Sequence, residues 1–448
     1  MKFLIILAAV LLNNNWTFSL GDASSMERDF THGTEYFTYY SKVMSSNHSH
    51  APIMPEFDDS AWQTINQNDW SWRGCGTVWL RQHININKVH AGKPARLLLG
   101  TLFDQDITYL NGQEIGHTYY QYPPRRYDIP EGLLKEGDNV ITVRFINKYG
   151  AVHFIPEKPY MLCFGEDRCS QNPMPKDIIP LATTWKMQVG AEMPNCPSGD
   201  ISLQNIPTTL YNAVLHPLAP YALNGVVWYQ GESNTGNPAP YADYLKKLMG
   251  CWRDRWQDQQ MPFVIVQLAN YDGRQQTGFP RPITPQTEPM NSGWAQLREA
   301  QRTAAKADPY AALAVINDLG ETVDIHPLRK KEVAERVGLC FDRLVYNQKV
   351  SLAPEVVLTE VKDDKIILTL DQSIQPGKLY TFEVAGDDKK FQNVEATAEG
   401  NRITILTPRS SLPTPRTIRY AWKDNPLSAN VRSLGGLPMS SFEMKINK

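Results

Sequence analysis

The chain is 448 residues long, 42% hydrophobic and 21% charged, the composition of an ordinary globular protein with length for about three domains. Its formal net charge of −2 and pI near 6.5 exclude the basic footprint that nucleic acid or an anionic membrane surface requires, so partners are expected to be neutral or small. Six cysteines, Cys75, Cys163, Cys169, Cys196, Cys251 and Cys340, lack the close paired spacing of a zinc site, and no metal or other cofactor is expected. Mostly buried thiols are the default, although Cys163 and Cys169 are near enough in sequence to close a small loop in an oxidising compartment.

Met1-Lys2 followed by the apolar run over residues 3–12 has the charged start and short apolar core of a secretory signal. The run is too short to span a bilayer, so no membrane span is expected. A signal over 1–23, a short segment over 24–53 and a secreted or periplasmic protein follow from this reading. The rival is a buried strand of a truncated domain.

Between 54 and 165, short runs such as Thr77-Val-Trp-Leu-Arg81, Ala95-Arg-Leu-Leu-Leu99, Ile107-Thr-Tyr-Leu110 and Val140-Ile-Thr-Val-Arg-Phe-Ile146 alternate with Gly, Pro, Asn and Asp turns. That texture predicts a β-sandwich. Asn111-Gly112 predicts a hairpin, because both central residues of a type I′ turn need positive φ. Phe57-Asp-Asp-Ser-Ala-Trp62, Gly100-Thr-Leu-Phe-Asp104 and Tyr109-Leu-Asn-Gly112 resemble the galactose-binding-like jelly roll found beside glycosidases. Trp62, Trp70, Trp72 and Trp79 have the rings to stack on sugars, but core packing is the expected use of such tryptophans.

Residues 166–345 read as α/β. Tyr241, Tyr244, Leu245, Leu248, Met249, Trp252 and Trp256 recur at helical spacing, predicting one buried helix face between strands near Val226 and Val264. A helix over 294–305 precedes a strand at Ala311, and an amphipathic helix over 328–344 follows. This succession predicts a parallel sheet. From 346 to 448, Lys365-Ile-Ile-Leu-Thr-Leu370, Tyr380-Thr-Phe-Glu-Val384 and Arg402-Ile-Thr-Ile-Leu406 predict a small C-terminal β domain.

Two segments carry chemistry. Asn224-Gly-Val-Val-Trp-Tyr-Gln-Gly-Glu-Ser-Asn234 breaks from an apolar run into a turn bearing Gln230, Glu232 and Asn234. Ligands of open α/β sheets sit beyond the carboxyl ends of the strands, where these side chains fall. In Asp318-Leu-Gly-Glu-Thr-Val-Asp-Ile-His-Pro-Leu-Arg-Lys330, Asp324 and His326 stand two apart at a strand-to-helix connection, the arrangement of a general base and an orienting carboxylate.

Trp228-Tyr-Gln-Gly-Glu-Ser-Asn234 and Asp324-Ile-His-Pro327 resemble the sialate O-acetylesterase family of SGNH-type carbohydrate esterases. Leu210-Tyr-Asn-Ala-Val-Leu-His-Pro-Leu218, Trp252-Arg-Asp-Arg-Trp256, Pro262-Phe-Val-Ile-Val-Gln-Leu268, Arg419-Tyr-Ala-Trp-Lys-Asp-Asn-Pro426 and Gly436-Leu-Pro438 extend the likeness over most of the chain after 205. The resemblance implies that His326 is the base, Asp324 or Asp318 its orienter, and Asn234 an oxyanion donor, with Gln230 and Glu232 lining the same pocket. It implies an acetylated carbohydrate as substrate, and Arg298 or Arg329 as a candidate partner for a sialic acid carboxylate. It also implies an SGNH-like α/β sheet, incomplete at its N-terminus, with the jelly roll inserted.

The family's nucleophile block, Gly-Gln-Ser-Asn-Met-Glu, is absent. The nearest likeness is Gly21-Asp-Ala-Ser-Ser-Met-Glu27, which lays Ser24 on the nucleophile with one extra residue. Two functions follow: a carbohydrate O-acetylesterase, impaired if the nucleophile is lost, or a noncatalytic carbohydrate-binding relative that keeps the pocket.

Overall fold

The computed structural model describes residues 51–446 apart from 104, 120–122, 148–151, 156–157, 170–174, 194–205, 220, 273–284, 323–324, 328 and 408–413. Ser24, Asp324 and the expected signal over 1–23 lie outside the described residues. The chain divides into two compact units, one carrying the described residues up to 193 and the other those from 206 onward. Among the described residues no helix is long and apolar enough to cross a membrane.

The first unit is a β-sandwich. A six-stranded antiparallel sheet runs in the order Gln63–Asn66, Thr184–Met193, Cys75–Ile86, Gly137–Asn147, Gln105–Leu110, Gln113–Thr118. A four-stranded sheet runs Ile178–Pro180, Tyr160–Cys163, Ala95–Leu99, Arg126–Ile129. Alternate residues of both, including Val78, Leu80, Val143 and Phe145 from the first and Leu97, Leu99, Ile129 and Leu162 from the second, form one buried core. Thr184–Met193 pairs along Cys75–Ile86, so the sandwich continues past residue 165, where the sequence pattern had placed its end. The β-texture stops being legible there because Thr184-Trp-Lys-Met-Gln-Val-Gly-Ala-Glu-Met193 mixes polar and apolar residues with no run to mark it.

Asn111 (φ 49°) and Gly112 (φ 85°) turn the predicted hairpin, and the Asn111 side chain donates to Leu133 O and accepts from the Val140 N–H. Trp62 and Trp79 are buried in a small cluster with Ile53, and Trp70 and Trp72 pack against the main core. Cys75, Cys163, Cys169, Cys251 and Cys340 are free thiols, so Cys163 and Cys169 do not close a loop. Burial pushes the Cys163 thiol up to about 11 and the Cys340 thiol up to about 12, which keeps both inert near neutrality.

The second unit holds the parallel sheet. Strands β1 (Val226–Trp228), β2 (Phe263–Val266) and β3 (Ala311–Ala314) lie side by side in chain order, all parallel. Helices α1 (Tyr241–Trp256) and α2 (Gly293–Lys306) are the two crossovers, and α3 (Lys330–Leu344) follows β3. Phe263 and Ile265 pack with Leu245, Met249 and Trp252 of α1 and Leu297 of α2, whereas Val264 and Val266 pack with Val333, Cys340 and Phe341 of α3. Both faces of β2 are therefore covered, which is why its sequence is continuously apolar rather than alternating. Tyr244, expected on the buried face of α1, points outward and is 54% exposed. It stands one residue from Leu245 and three from Tyr241, at the margin of the stripe.

Helix α1 begins behind Pro238 and Pro240, carries Asp243 in its first turn and Arg253 and Arg255 in its last, and stops at Gln257 in a left-handed conformation. Helix α2 is capped by the Ser292 hydroxyl, which accepts from the Ala295 N–H at 2.9 Å. The remaining strands form a five-stranded antiparallel sheet (Val356–Lys362, Lys365–Leu370, Arg402–Leu406, Ala396–Glu399, Gly377–Leu379) and a four-stranded one (Gln392–Asn393, Phe382–Ala385, Thr417–Tyr420, Phe442–Lys445) over a shared core.

Arg298 of α2 joins these two parts of the unit. Fully buried, it donates from Nε to Leu268 O (2.9 Å), from Nη1 to Lys423 O (2.8 Å), and from Nη2 to Ala269 O (2.9 Å) and Asp424 O (2.8 Å). It is thus a staple between main-chain segments, with no face left for a sugar carboxylate. Burial lowers its pKa to about 9, partly offset by Asp424. Arg298→Met should leave Leu268 O and Lys423 O without a donor, Ala269 O and Asp424 O keeping those of Trp294 Nε1 and the Tyr271 N–H, and destabilise this unit by about 3–5 kcal/mol in a denaturant titration. An unchanged midpoint would show that the four bonds contribute nothing net.

Candidate active site

Immediately after β1 the chain reaches Gly231, whose φ of 155° suits glycine and whose Cβ, if present, would lie 2.5 Å from Leu297 Cδ2 and 3.3 Å from Gln301 Nε2. A single 3₁₀ turn, Glu232–Asn234, follows. Because the glycine lets the turn tuck against α2, the carboxamides of Gln230 and Asn234 meet: Gln230 Nε2 donates to Asn234 Oδ1 at 2.8 Å.

Gln230 is held on its other side. The Tyr241 hydroxyl lies 2.8 Å from Gln230 O and 2.9 Å from Gln230 Oε1, to which it donates, while Trp228 Nε1 donates to that hydroxyl at 3.3 Å. Burial raises the Tyr241 phenol to about 12, so it stays a donor at any working pH. Gln301 of α2 completes the support, donating to Gln230 O (3.1 Å) and accepting from the Leu268 N–H (2.9 Å).

The orientation of Asn234 follows. With Oδ1 occupied by Gln230, its Nδ2 protons are the free pair, and among the described residues nothing accepts from them. A half-buried amide donor of fixed direction at the carboxyl end of a parallel strand is the group an oxyanion needs. Glu232 is half-buried on the same turn, and Ser233 is exposed.

His326 lies in the connection from β3 to α3 and is exposed. That connection approaches the β1 turn, since the Lys330 ammonium at the start of α3 stands 4.9 Å from the centroid of the Tyr229 ring. Of the two candidate orienters, Asp324 is outside the described residues, and Asp318 is engaged elsewhere. Its carboxylate accepts from Arg336 Nη1 (2.5 Å) and Nη2 (3.1 Å) and from Arg432 Nη1 (2.8 Å), so it anchors the β3 end to α3 and to the connection between Thr417–Tyr420 and Phe442–Lys445. Arg329 donates to Glu332 Oε1 at 3.1 Å and to Asp318 O at 3.3 Å, a local role.

Sequence reasoning passed over Tyr241, Gln301, Asn270, Asp272, Thr322 and Asn425. The strand-end rule that selected the β1 turn also marks Asn270 and Asp272, which follow β2 just as closely. Gln301 and Asn425 have no local signal, because they matter only through contacts with residues far away in sequence. Among the described residues no group of His, Cys, Asp and Glu is placed to hold a metal ion.

Residues 195–309 match the family described as "Carbohydrate esterase, sialic acid-specific acetylesterase". The sialate O-acetylesterases of Rattus norvegicus and Homo sapiens are 28% and 27% identical to the chain over 238 residues, 48% of this chain and 42% and 44% of theirs. The matched stretch thus spans less than half the length of those relatives. A carbohydrate acetylesterase of known structure from Xanthomonas citri aligns at 32% identity over 52% of this chain and 53% of its own, with a TM-score of 0.47.

Burial raises the Asp318 carboxyl, but hydrogen bonds and charge from Arg336 and Arg432 outweigh that and hold it below its ordinary 3.8. A carboxyl with a depressed folded-state pKa adds stability that is complete above the unfolded pKa and is lost as pH falls through the folded one. Asp318→Asn should therefore cost on the order of 2 kcal/mol at neutral pH, and the gap to wild type should close on acidification below 3.8. A gap of constant size through that window, measured by urea titration, would rule out the ion pair as its source.

Proposed function

Residues 195–309 belong to the sialate O-acetylesterase family of carbohydrate esterases, and on that premise we propose that the chain is built to hydrolyse acetyl esters of glycans. The observation that carries this reading is the Gln230–Asn234 pair, which leaves the Asn234 amide protons free beyond the end of β1. In the proposed reaction a serine hydroxyl attacks the acetyl carbonyl and gives its proton to His326. Asn234 Nδ2 stabilises the oxyanion of the tetrahedral intermediate. Collapse expels the sugar alkoxide, which takes the proton back from His326, and water then cleaves the acetyl-serine by the same steps.

Each residue has one role. His326 is general base and then general acid, Asp324 orients it, and Gln230 fixes the carboxamide of Asn234. Ser24 is the serine that the resemblance lays on the nucleophile. Glu232 lines the acetyl pocket. The sandwich, with its likeness to galactose-binding jelly rolls, supports a glycan rather than a small free ester as the natural substrate. The domain plan proposed with this reading is a signal over 1–23 that exports the protein, a short segment over 24–53, the galactose-binding-like sandwich, the α/β esterase part and the C-terminal β region.

The test is turnover of 4-nitrophenyl acetate and of an O-acetylated sialoside by wild type, His326→Ala, Asn234→Ala and Ser24→Ala. His326→Ala should lower kcat by at least about 10³ and Asn234→Ala by about 10²–10³ with little change in KM. Full activity in His326→Ala would refute the assignment of the base. Absence of turnover in the wild type, together with retained glycan binding, would establish the noncatalytic carbohydrate-binding relative instead.

A further inference from the structure

The chain leaving β3 toward His326 is held at Gly320 and Thr322 by two hydrogen-bonded circuits that meet at one residue from the C-terminal region. In the first, the Gly320 N–H donates to Asn270 Oδ1 (2.7 Å), Asn270 Nδ2 donates to Asn425 Oδ1 (2.8 Å), and Asn425 Nδ2 donates to Thr322 Oγ1 (2.8 Å). In the second, the Asn425 N–H donates to Gln286 Oε1 (3.1 Å), Gln286 Nε2 donates to Asp272 Oδ2, and the Asp272 N–H donates to Thr322 O (2.7 Å). The directions are forced, because a backbone N–H can only donate and so fixes the carboxamide it meets, which fixes the next.

These groups are out of water: Asn270, Asp272, Thr322 and Asn425 are between 1% and 6% exposed. In such surroundings a satisfied network rigidifies, and a broken one strands donors that cannot turn to solvent. The main chain leading into Asn425 is itself held, since Arg298 donates to the carbonyls of the two residues before it. Gly320 fits only without a side chain, because a Cβ there would run into Asn270 O.

We infer that Asn425 is a positioning residue that, through Thr322 and Asn270, sets where the His326 loop stands. The inference rests on the reading of His326 as the base. It makes the connection between Thr417–Tyr420 and Phe442–Lys445 part of the hydrolytic machinery, although residue 425 lies outside the 195–309 segment that matches the esterase family.

The test cuts one bond without touching Asn425 or His326. Thr322→Val keeps shape but loses the acceptor for Asn425 Nδ2, and Thr322→Ser retains it. In full-length protein, Thr322→Val should speed amide exchange at 319–322 by about tenfold or more while β2 and Thr417–Tyr420 stay protected, and should move the His326 imidazole resonance toward that of a free histidine. With 4-nitrophenyl acetate it should lower kcat by about tenfold with KM within about twofold. Thr322→Ser should restore all three.

Unchanged exchange and an unmoved imidazole resonance in Thr322→Val would overturn the inference, as would exchange that rises equally through every strand. If the wild type has no turnover, the esterase reading falls, while exchange and resonance still decide whether the circuit positions the loop.

Discussion

The arrangement turns on one buried guanidinium. Arg298 spends its donors on four main-chain carbonyls, two after β2 and two in the 423–424 segment, at distances between 2.8 and 2.9 Å. Its planar fork carries five donors against the three of a lysine ammonium, enough for four acceptors in fixed directions at once. A buried charge without that satisfaction would be expensive, so the loops cannot move from the arginine independently. Each site-bearing loop is indexed to the same point. The β2 loop is bonded directly, and the β1 turn is reached through Gln301, one helical turn along α2.

The 423–425 segment is pinned from its other side as well. The Lys423 ammonium donates to Glu288 O and to Glu383 Oε1, with both side chains of the ion pair essentially inaccessible. Burial raises the Glu383 carboxyl despite that lysine, the desolvation that a buried ion pair carries against its attraction. Asp424 accepts from the Ser292 hydroxyl (2.5 Å), the group that also caps α2. A cap, a buried pair and a guanidinium staple thus converge on two consecutive residues, Lys423 and Asp424.

The secondary structure of this unit was largely legible because its signals are local. The alternation of β runs with amphipathic helices marked β1 to β3 and α1 to α3, and Lys365–Leu370 and Arg402–Leu406 were bounded by their own turns. Turn chemistry marked Asn111-Gly112. Illegible were features whose cause is tertiary: the continuation of the sandwich into Thr184–Met193, which pairs with a strand about a hundred residues earlier, and the burial of Arg298. An arginine at 298 looks on paper like any helical surface cation. Only the meeting of α2 with two distant loops puts carbonyls around it.

The same distinction divides the candidate site. Gln230, Glu232 and Asn234 could be picked from sequence because a strand, a glycine and a polar turn are contiguous there, and the first and last prove to be partnered. Asp318 was equally conspicuous and serves another end, because Arg336 and Arg432 reach it from elements that the local pattern does not show. A carboxylate so engaged has little lone-pair capacity left for an imidazole, and its depressed pKa reflects those two arginines. Its proper function is to hold the end of β3 so that the loop beyond it starts from a fixed point. The loop is then fixed again at Gly320 and Thr322. Three anchors within five residues, at Asp318, Gly320 and Thr322, thus fix the chain where it leaves β3, and a site group carried on a connection needs such a fixed point to start from.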